Sequence, residues 1–283
     1  MSPAVRTTRR RQVLAAALAG ITVAATGCTV ANSRHGGYDV NTLRIVLQEE
    51  PPTLEPCESS LTSTGVVVRS NITEPLVERD PKSGDLQPLL STGWRQTAPT
   101  EWTFDIRKGV TFSNGAPFTA QDAAFSIDRA VNSDLQCNVD GYVFGDEKLK
   151  VAAPNDTTVT VRTEKPDPIL PLRISFVEIV PRTTSTTAKV REPIGTGPYT
   201  IDDWEYGQKL RLKRNDTYWG KKPAFARAEY QWRSEGSVRA AMVVNDEADI
   251  GTLLGPEDGA GELGVAFPNN ETTALRITGA EAP

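Results

Sequence analysis

The sequence predicts an α/β or α+β protein, rich in strands with interspersed helices, on three observations. Trp102, Phe104 and Ile106 alternate with Thr103, Asp105 and Arg107, the period-two pattern of a half-buried strand. Thr119, followed three residues later by Asp122, reads as a helix cap with an acid in the first turn. It opens a segment running to about Val131 whose apolar face is Ala123, Ala124, Ile127, Ala130 and Val131. Val159 and Val161 among threonines, and Leu210 and Leu212 between Lys and Arg, repeat the strand pattern. The 283 residues allow one large or two modest domains, and 38% hydrophobic with 24% charged residues is enough to bury a core. With 20 Pro and 22 Gly, turns are frequent and long helices few.

The first segment is an address. Arg9-Arg10-Arg11 precede an apolar run from Val13 to Ala25 that is too short for a permanent membrane span. The run closes on Ala25-Thr26-Gly27-Cys28, which resembles a bacterial lipobox with Ala25 in the usual leucine position. Residues 1–27 are therefore expected to be a signal peptide and Cys28 a lipidated N-terminus, anchoring the protein on the outer face of the cytoplasmic membrane. Arg10-Arg11-Gln12-Val13-Leu14 also looks like a twin-arginine export signal. The alternative is an ordinary secretory peptide with an incidental cysteine. Residues 28–41, with Ser, Asn, Gly and charge, read as a flexible lipidated tether. With Cys28 set aside, Cys57 and Cys137 form an even pair in an oxidising compartment. A bridge between them and two unpaired buried thiols both stay open at this point.

Beyond the tether, Leu43–Leu47 is a strand that stops at Glu49-Glu50-Pro51-Pro52. Between Gly65 and Leu76, the positions Val66, Val67, Ile72 and Leu76 suggest a short helix broken near Pro75. Gly109 and Asn114-Gly115 mark turns, and a seam is expected near Pro181–Pro193.

Composition excludes several functions. The formal net charge is −5, and taking off the four arginines of the first 27 residues leaves −9 without a basic stripe, so no nucleic-acid partner is expected. The single histidine, His35, lies in the polar tether, which leaves no histidine for a Ser-His or Cys-His nucleophile or a histidine zinc site. No catalytic residue, metal site or cofactor is expected, and the chain does not read as an enzyme. Trp94, Trp102, Trp204, Trp219 and Trp232 invite a ligand-stacking role, but core packing is the reading favoured for most of them.

Three groups of motifs, in order, carry a resemblance. The first is Glu74-Pro75-Leu76-Val77 with Leu86-Gln87-Pro88-Leu89-Leu90 and Gly93-Trp94. The second is the unbroken stretch from Trp102 through Arg107-Lys108-Gly109-Val110-Thr111-Phe112 to Thr119-Ala120-Gln121-Asp122. The third is Gly195-Thr196-Gly197-Pro198-Tyr199, continued by Asn215-Asp216-Thr217-Tyr218-Trp219. Together they resemble the extracellular solute-binding protein family 5, the dipeptide, oligopeptide and nickel-binding lipoproteins of ABC importers. The resemblance covers nearly all of residues 42–277. It implies a periplasmic-binding-protein-like (class II, venus-flytrap) first lobe with an extra subdomain, the second lobe being largely absent. Residues 42–61 and 191–270 would form the first-lobe core, 62–190 the subdomain, and 271–283 the start of the crossover to the missing lobe. It further implies capture of small peptides or related solutes outside the membrane and delivery to permease and ATPase subunits, by a monomer. Ligand contacts are expected at Glu50, Thr62, Ser63, Gly195, Thr196, Gly197 and Tyr199, the last four in a tight, backbone-bound turn. A non-transporting remnant and, less favoured, an exported hydrolase are the alternatives.

Overall fold

The run Thr42–Leu47 forms strand β1, and its apolar end, Ile45, Val46 and Leu47, is buried from both sides of the strand. Such double burial is what an apolar run in a parallel sheet requires. A computed structural model describes residues 39–259 and 261–265. The signal peptide, most of the tether with Cys28, and the crossover expected over 271–283 lie outside the described residues.

In chain order the elements after β1 are α1 (Thr62–Val68), β2 (Val77–Arg79), β3 (Leu86–Pro88), β4 (Ser91–Ala98), β5 (Glu101–Ile106), α2 (Ala120–Asn132), β6 (Lys150–Asn155) and β7 (Thr158–Arg162). They continue with α3 (Leu170–Ile174), β8 (Tyr199–Glu205), β9 (Lys209–Arg214), β10 (Arg227–Trp232), α4 (Gly236–Val244) and β11 (Ile250–Gly251). The architecture is mixed α/β, as expected. The first and last parts of the chain share a five-stranded sheet of order β11-β1-β10-β9-β8. β1 runs parallel to β10 and β11, with Thr42 opposite Arg227 and Leu47 opposite Trp232, while β9 is antiparallel to β10 and to β8. One face packs Ile45, Leu47, Leu210, Leu212 and Tyr230 with Val67 and Val68 of α1. The other puts Val46 against Met242 of α4 and Ala248.

The middle of the chain builds a second core on a four-stranded sheet of order β4-β5-β7-β6. Phe104, Ile106, Val159 and Val161 face Ala123, Ile127, Ala130 and Val131 of α2, the apolar stripe read from the sequence. The helix begins as its cap predicts. The Thr119 amide and hydroxyl donate to Asp122 Oδ2 at 2.9 and 2.6 Å, and Asp122 Oδ1 accepts from the Arg182 amide at 3.1 Å.

Two expectations need correction. α1 ends at Val68 and does not run toward Pro75, because Ser70 takes a positive φ of 56° and the amides of Ile72 and Thr73 both return to the Val68 carbonyl. Ile72, in the turn after α1, and Leu76, in a bend before β2, are both buried, one in each core. The boundary drawn at residue 62 also shifts. α1 packs in the core of the five-stranded sheet, whereas Cys57, ahead of it, packs in the other core.

Cys57 crosses over because the segment after β1 is fastened to α2. A disulfide joins Cys57 to Cys137 across a separation of 80 residues. Beside it, the Arg129 guanidinium of α2 donates to both oxygens of Glu55, at 2.7 and 3.1 Å, with both side chains almost wholly buried. Glu55 also accepts from the amides of Cys57 and Val190, and Lys189 pairs with Glu58. Removing one partner of a buried pair strands the other charge. Arg129→Met is therefore expected to lower the unfolding free energy by about 3–5 kcal/mol. The check is a urea midpoint that drops with its slope retained, and an unchanged midpoint contradicts this account.

Candidate functional site

Three parallel strands, β1, β10 and β11, end at one edge of the five-stranded sheet, at Leu47, Trp232 and Gly251. Because β8 and β9 alternate in direction beside β10, their hairpin turn around Gly207 emerges at the same edge. Open α/β sheets offer their ligand crevices outside such carboxyl ends. Here the edge carries Gln48–Glu50, Tyr206–Gln208, Arg233–Ser234 and Thr252–Leu253. The start of α1 reaches it too, since Ser63 Oγ donates to Glu49 Oε1 at 3.2 Å.

Loops at this edge are held by side chains that the fold commits to them. Glu50 accepts from Trp204 Nε1 at 3.0 Å, and its two oxygens accept from the Gly207 amide at 3.2 and 3.0 Å, fixing the hairpin turn. Gly207 has a φ of 72°, the left-handed region that favours glycine. Arg239 of α4, 2% exposed, donates to the carbonyls of Arg233, Ser234, Thr252 and Leu253 at 2.7–2.9 Å. One guanidinium thus closes the ends of β10 and β11. Arg191 lies over the rings of Trp204 and Tyr206, and Tyr206 is 56% exposed.

The Gly195–Tyr199 turn sits elsewhere. Tyr199 begins β8, at the opposite end of that strand from the Gly207 turn. A Cβ on Gly195 would stand 2.0 Å from the Ile72 carbonyl oxygen, and one on Gly197 would stand 2.4 Å from that of Asn71. The amides of Gly197 and Tyr199 donate to the same two carbonyls at 3.0 and 2.9 Å, so both glycines are needed for backbone contact. Thr196 Oγ1 donates to Glu74 Oε2 at 2.8 Å, and the Tyr199 hydroxyl donates to the Phe225 carbonyl at 3.0 Å.

Of the residues expected at a ligand, the structure brings Glu50, Thr62 and Ser63 toward the sheet edge. It sets Gly195, Thr196, Gly197 and Tyr199 apart from them, buried, with the Gly197 and Tyr199 amides and the Thr196 and Tyr199 hydroxyls donating within the protein. Those four hold the fold. Thr62 is exposed and Ser63 is buried. The tryptophans pack as expected: Trp102, Trp204 and Trp219 each give their indole N–H to a protein acceptor. Sequence reasoning missed Arg191 and Arg239, whose roles depend on neighbours distant in the chain. It also missed the work of Glu74, although that residue opens a quoted motif.

Glu74 and Glu178 form a buried acidic pair where the two cores meet. Glu74 accepts from Tyr218 Oη at 2.7 Å, Trp219 Nε1 at 2.9 Å and Thr196 Oγ1. Burial raises its carboxyl above the usual range, and these three donors pull it back. Glu178 accepts from Thr73 Oγ1 at 2.8 Å, and its other oxygen, 3.4 Å from Arg69 Nε, is buried without a hydrogen-bond partner among the described residues. Burial pushes the Glu178 carboxyl up to about 7, against the pull of Arg69 and Thr73 and with a push from Glu74. Among the described residues no group of three or more His, Cys, Asp or Glu is arranged to hold a metal ion. No helix among them is long and apolar enough to cross a membrane.

The fold is that of periplasmic solute-binding proteins. A dipeptide-binding protein from Pseudoalteromonas sp. SM9913, solved with Met-Leu, matches with a TM-score of 0.65 and 19% identity over 74% of this chain and 46% of that one. NikZ from Campylobacter jejuni, solved with Ni(L-His), matches with a TM-score of 0.64 and 23% identity over 75% of this chain and 43% of that one. The chain belongs to the family described as "Bacterial extracellular solute-binding proteins, family 5 Middle", whose model matches residues 85–271. Protein XP55 of Streptomyces lividans is 29% identical over 86% of this chain and 45% of its own length. The nickel-binding periplasmic protein of Escherichia coli K12 is 28% identical over 69% of this chain and 38% of its own length. The chain spans less than half the length of these four relatives.

The acidic pair makes stability depend on pH with a definite sign. A carboxyl whose folded pKa is raised stabilises fully below its unfolded value, near 4.5, and loses that contribution as pH climbs through about 7. The urea midpoint of the wild type is expected to fall between pH 5 and pH 8. Glu178→Gln flattens most of that slope and leaves a smaller remainder from Glu74, raised in the same direction. A wild-type midpoint that rises over this range, or an unaltered slope in the variant, contradicts the assignment.

Proposed function

We propose that this chain supplies the first lobe of the substrate-binding component of an ABC importer, which captures small peptides or related solutes outside the membrane. Family membership supports this reading, and the observation that carries it is the braced carboxyl edge of the five-stranded sheet. That edge presents short, fastened loops, as a binding lobe needs, and it lies away from the buried Gly195–Tyr199 turn. Capture requires no chemistry. A solute touching two lobes favours the closed arrangement by its differential affinity for that state. In this reading the subdomain lies mainly between Thr73 and Val190 and steadies the edge through Glu55 and Cys57. Permease and ATPase subunits receive the closed protein, which acts as a monomer.

The peptide reading predicts that di- to pentapeptides raise the melting temperature, whereas free amino acids and sugars leave it unchanged. Thermal shift across such a panel, with nickel–histidine complexes included, decides it. A response to the nickel complexes alone moves the solute class away from peptides.

The same proposal includes a lipid anchor at Cys28 on the outer face of the cytoplasmic membrane. Cells fed radiolabelled palmitate are expected to label the wild-type chain and not Cys28→Ser. Equal labelling of the two removes the anchor from the proposal.

A further inference from the structure

Arginines on the five-stranded sheet are matched to acids. Arg211 meets Asp203, Glu205 and Glu229, Arg214 meets Asp216, and Arg227 meets Asp39. Arg191, at the carboxyl edge of the same sheet, has no carboxylate within ion-pair distance among the described residues. Its contacts are aromatic: the guanidinium carbon lies 5.0 Å from the Trp204 ring centre and 4.1 Å from that of Tyr206. The two rings lie against each other, their centres 4.6 Å apart and their planes tilted by 31°. Its hydrogen bond is a long one, 3.5 Å to the Trp204 carbonyl.

The platform beneath it is fixed. Trp204 is 8% exposed and gives its indole N–H to Glu50, which also holds the Gly207 amide. An arginine packed by its flat face on aromatic rings keeps its edge N–H groups free for another partner. Arg191 itself is exposed. The site therefore presents a guanidinium with no carboxylate partner among the described residues, beside an exposed tyrosine, at the edge where a solute would be held.

We propose that Arg191, presented on Trp204 and Tyr206, binds a carboxylate of the captured solute. The proposal rests on the capture reading above and names the chemistry of one end of its ligand. A planar carboxylate meets a guanidinium fork in two parallel hydrogen bonds. It also brings a single negative charge, which one guanidinium balances. A phosphate dianion is disfavoured, because Glu49 and Glu50 occupy the same edge and repel the second charge.

The test uses the full chain and two probes, alanyl-alanine and its C-terminal amide, titrated by calorimetry into wild type and Arg191→Gln. The acid is expected to bind the wild type about tenfold or more tightly than it binds the variant, the range of a charge-assisted hydrogen bond. The amide is expected to bind both proteins equally. Equal affinity of acid and amide for the wild type, or undiminished affinity of the acid for the variant, overturns the proposal. If neither probe binds the wild type, the peptide-capture reading fails, and acetate still decides the carboxylate site. Acetate is then expected to shift the Trp204 indole N–H resonance in the wild type and not in Arg191→Gln. A shift no larger than sodium chloride gives at the same ionic strength overturns the carboxylate site as well.

Discussion

The buried carboxylate of Glu74 is the constraint on which the joint between the two cores depends. Its three donors come from positions 196, 218 and 219, more than 120 residues further along the chain. Its own backbone carbonyl accepts from the Ile179 amide at 3.1 Å, where the chain leaves the core on the four-stranded sheet. One residue therefore pins the outgoing strand of chain, the returning strand and the segment after β9. A carboxylate taken from water at this depth is costly unless each oxygen is bonded, and here both are. That explains the chemistry of its surroundings: Thr196, Tyr218 and Trp219 are donors aimed at an acid. It also explains the two glycines, since only a bare backbone lets the Gly195–Tyr199 turn approach the Asn71 and Ile72 carbonyls closely enough for Thr196 to reach Glu74.

A second set of tethers acts at the other end. The segment following β1 leaves the edge of the five-stranded sheet and is at once fastened by Glu55 to Arg129 of α2, by Cys57 to Cys137 and by Glu58 to Lys189. It then returns as α1 to the core it left. Because the crossing is short and held by a disulfide and a buried ion pair, the loop from Gln48 to Ser60 cannot shift without disturbing the core on the four-stranded sheet. Rigidity at a binding edge lowers the entropy lost when a solute is ordered against it. The core on the four-stranded sheet therefore holds this edge mechanically.

Much of the fold was legible because local pattern and tertiary packing agree. The alternation through Trp102–Ile106, the Thr119 cap with the apolar stripe of α2, and the pairs at 159/161 and 210/212 each became the element their periodicity implied. Where the pattern misled, backbone geometry overrode it. Ile72 and Leu76 carry a helical spacing with Val68, but the positive φ at Ser70 turns the chain and sends the two side chains into different cores. The candidate site was less legible. Glycines in a tight motif suggested a backbone-bound turn, and the backbone they approach is the protein's own at Asn71 and Ile72. Arg239 and Arg191 have no local signature, because an arginine is defined by what surrounds it, and here that is carbonyls in one case and rings in the other.

The two ends of the sheet divide the electrostatic work. At the Glu74 end, acids are buried, their donors are internal, and proton uptake is coupled to stability. At the carboxyl edge, charge is kept near solvent: Glu49 meets Ser63, Glu50 meets an indole and an amide, and among the described residues Arg191 meets rings and one carbonyl. A cleft that discriminates among solutes needs groups held in place but not already neutralised, since an internal ion pair would have to break before a ligand could take its place. Aromatic stacking meets both conditions for a guanidinium, fixing its plane while leaving its charge uncompensated. Under the capture reading proposed above, such a lobe would hold its loops still through committed polar groups and keep its recognition groups uncommitted, so that the remaining free-energy change on capture would go into closure.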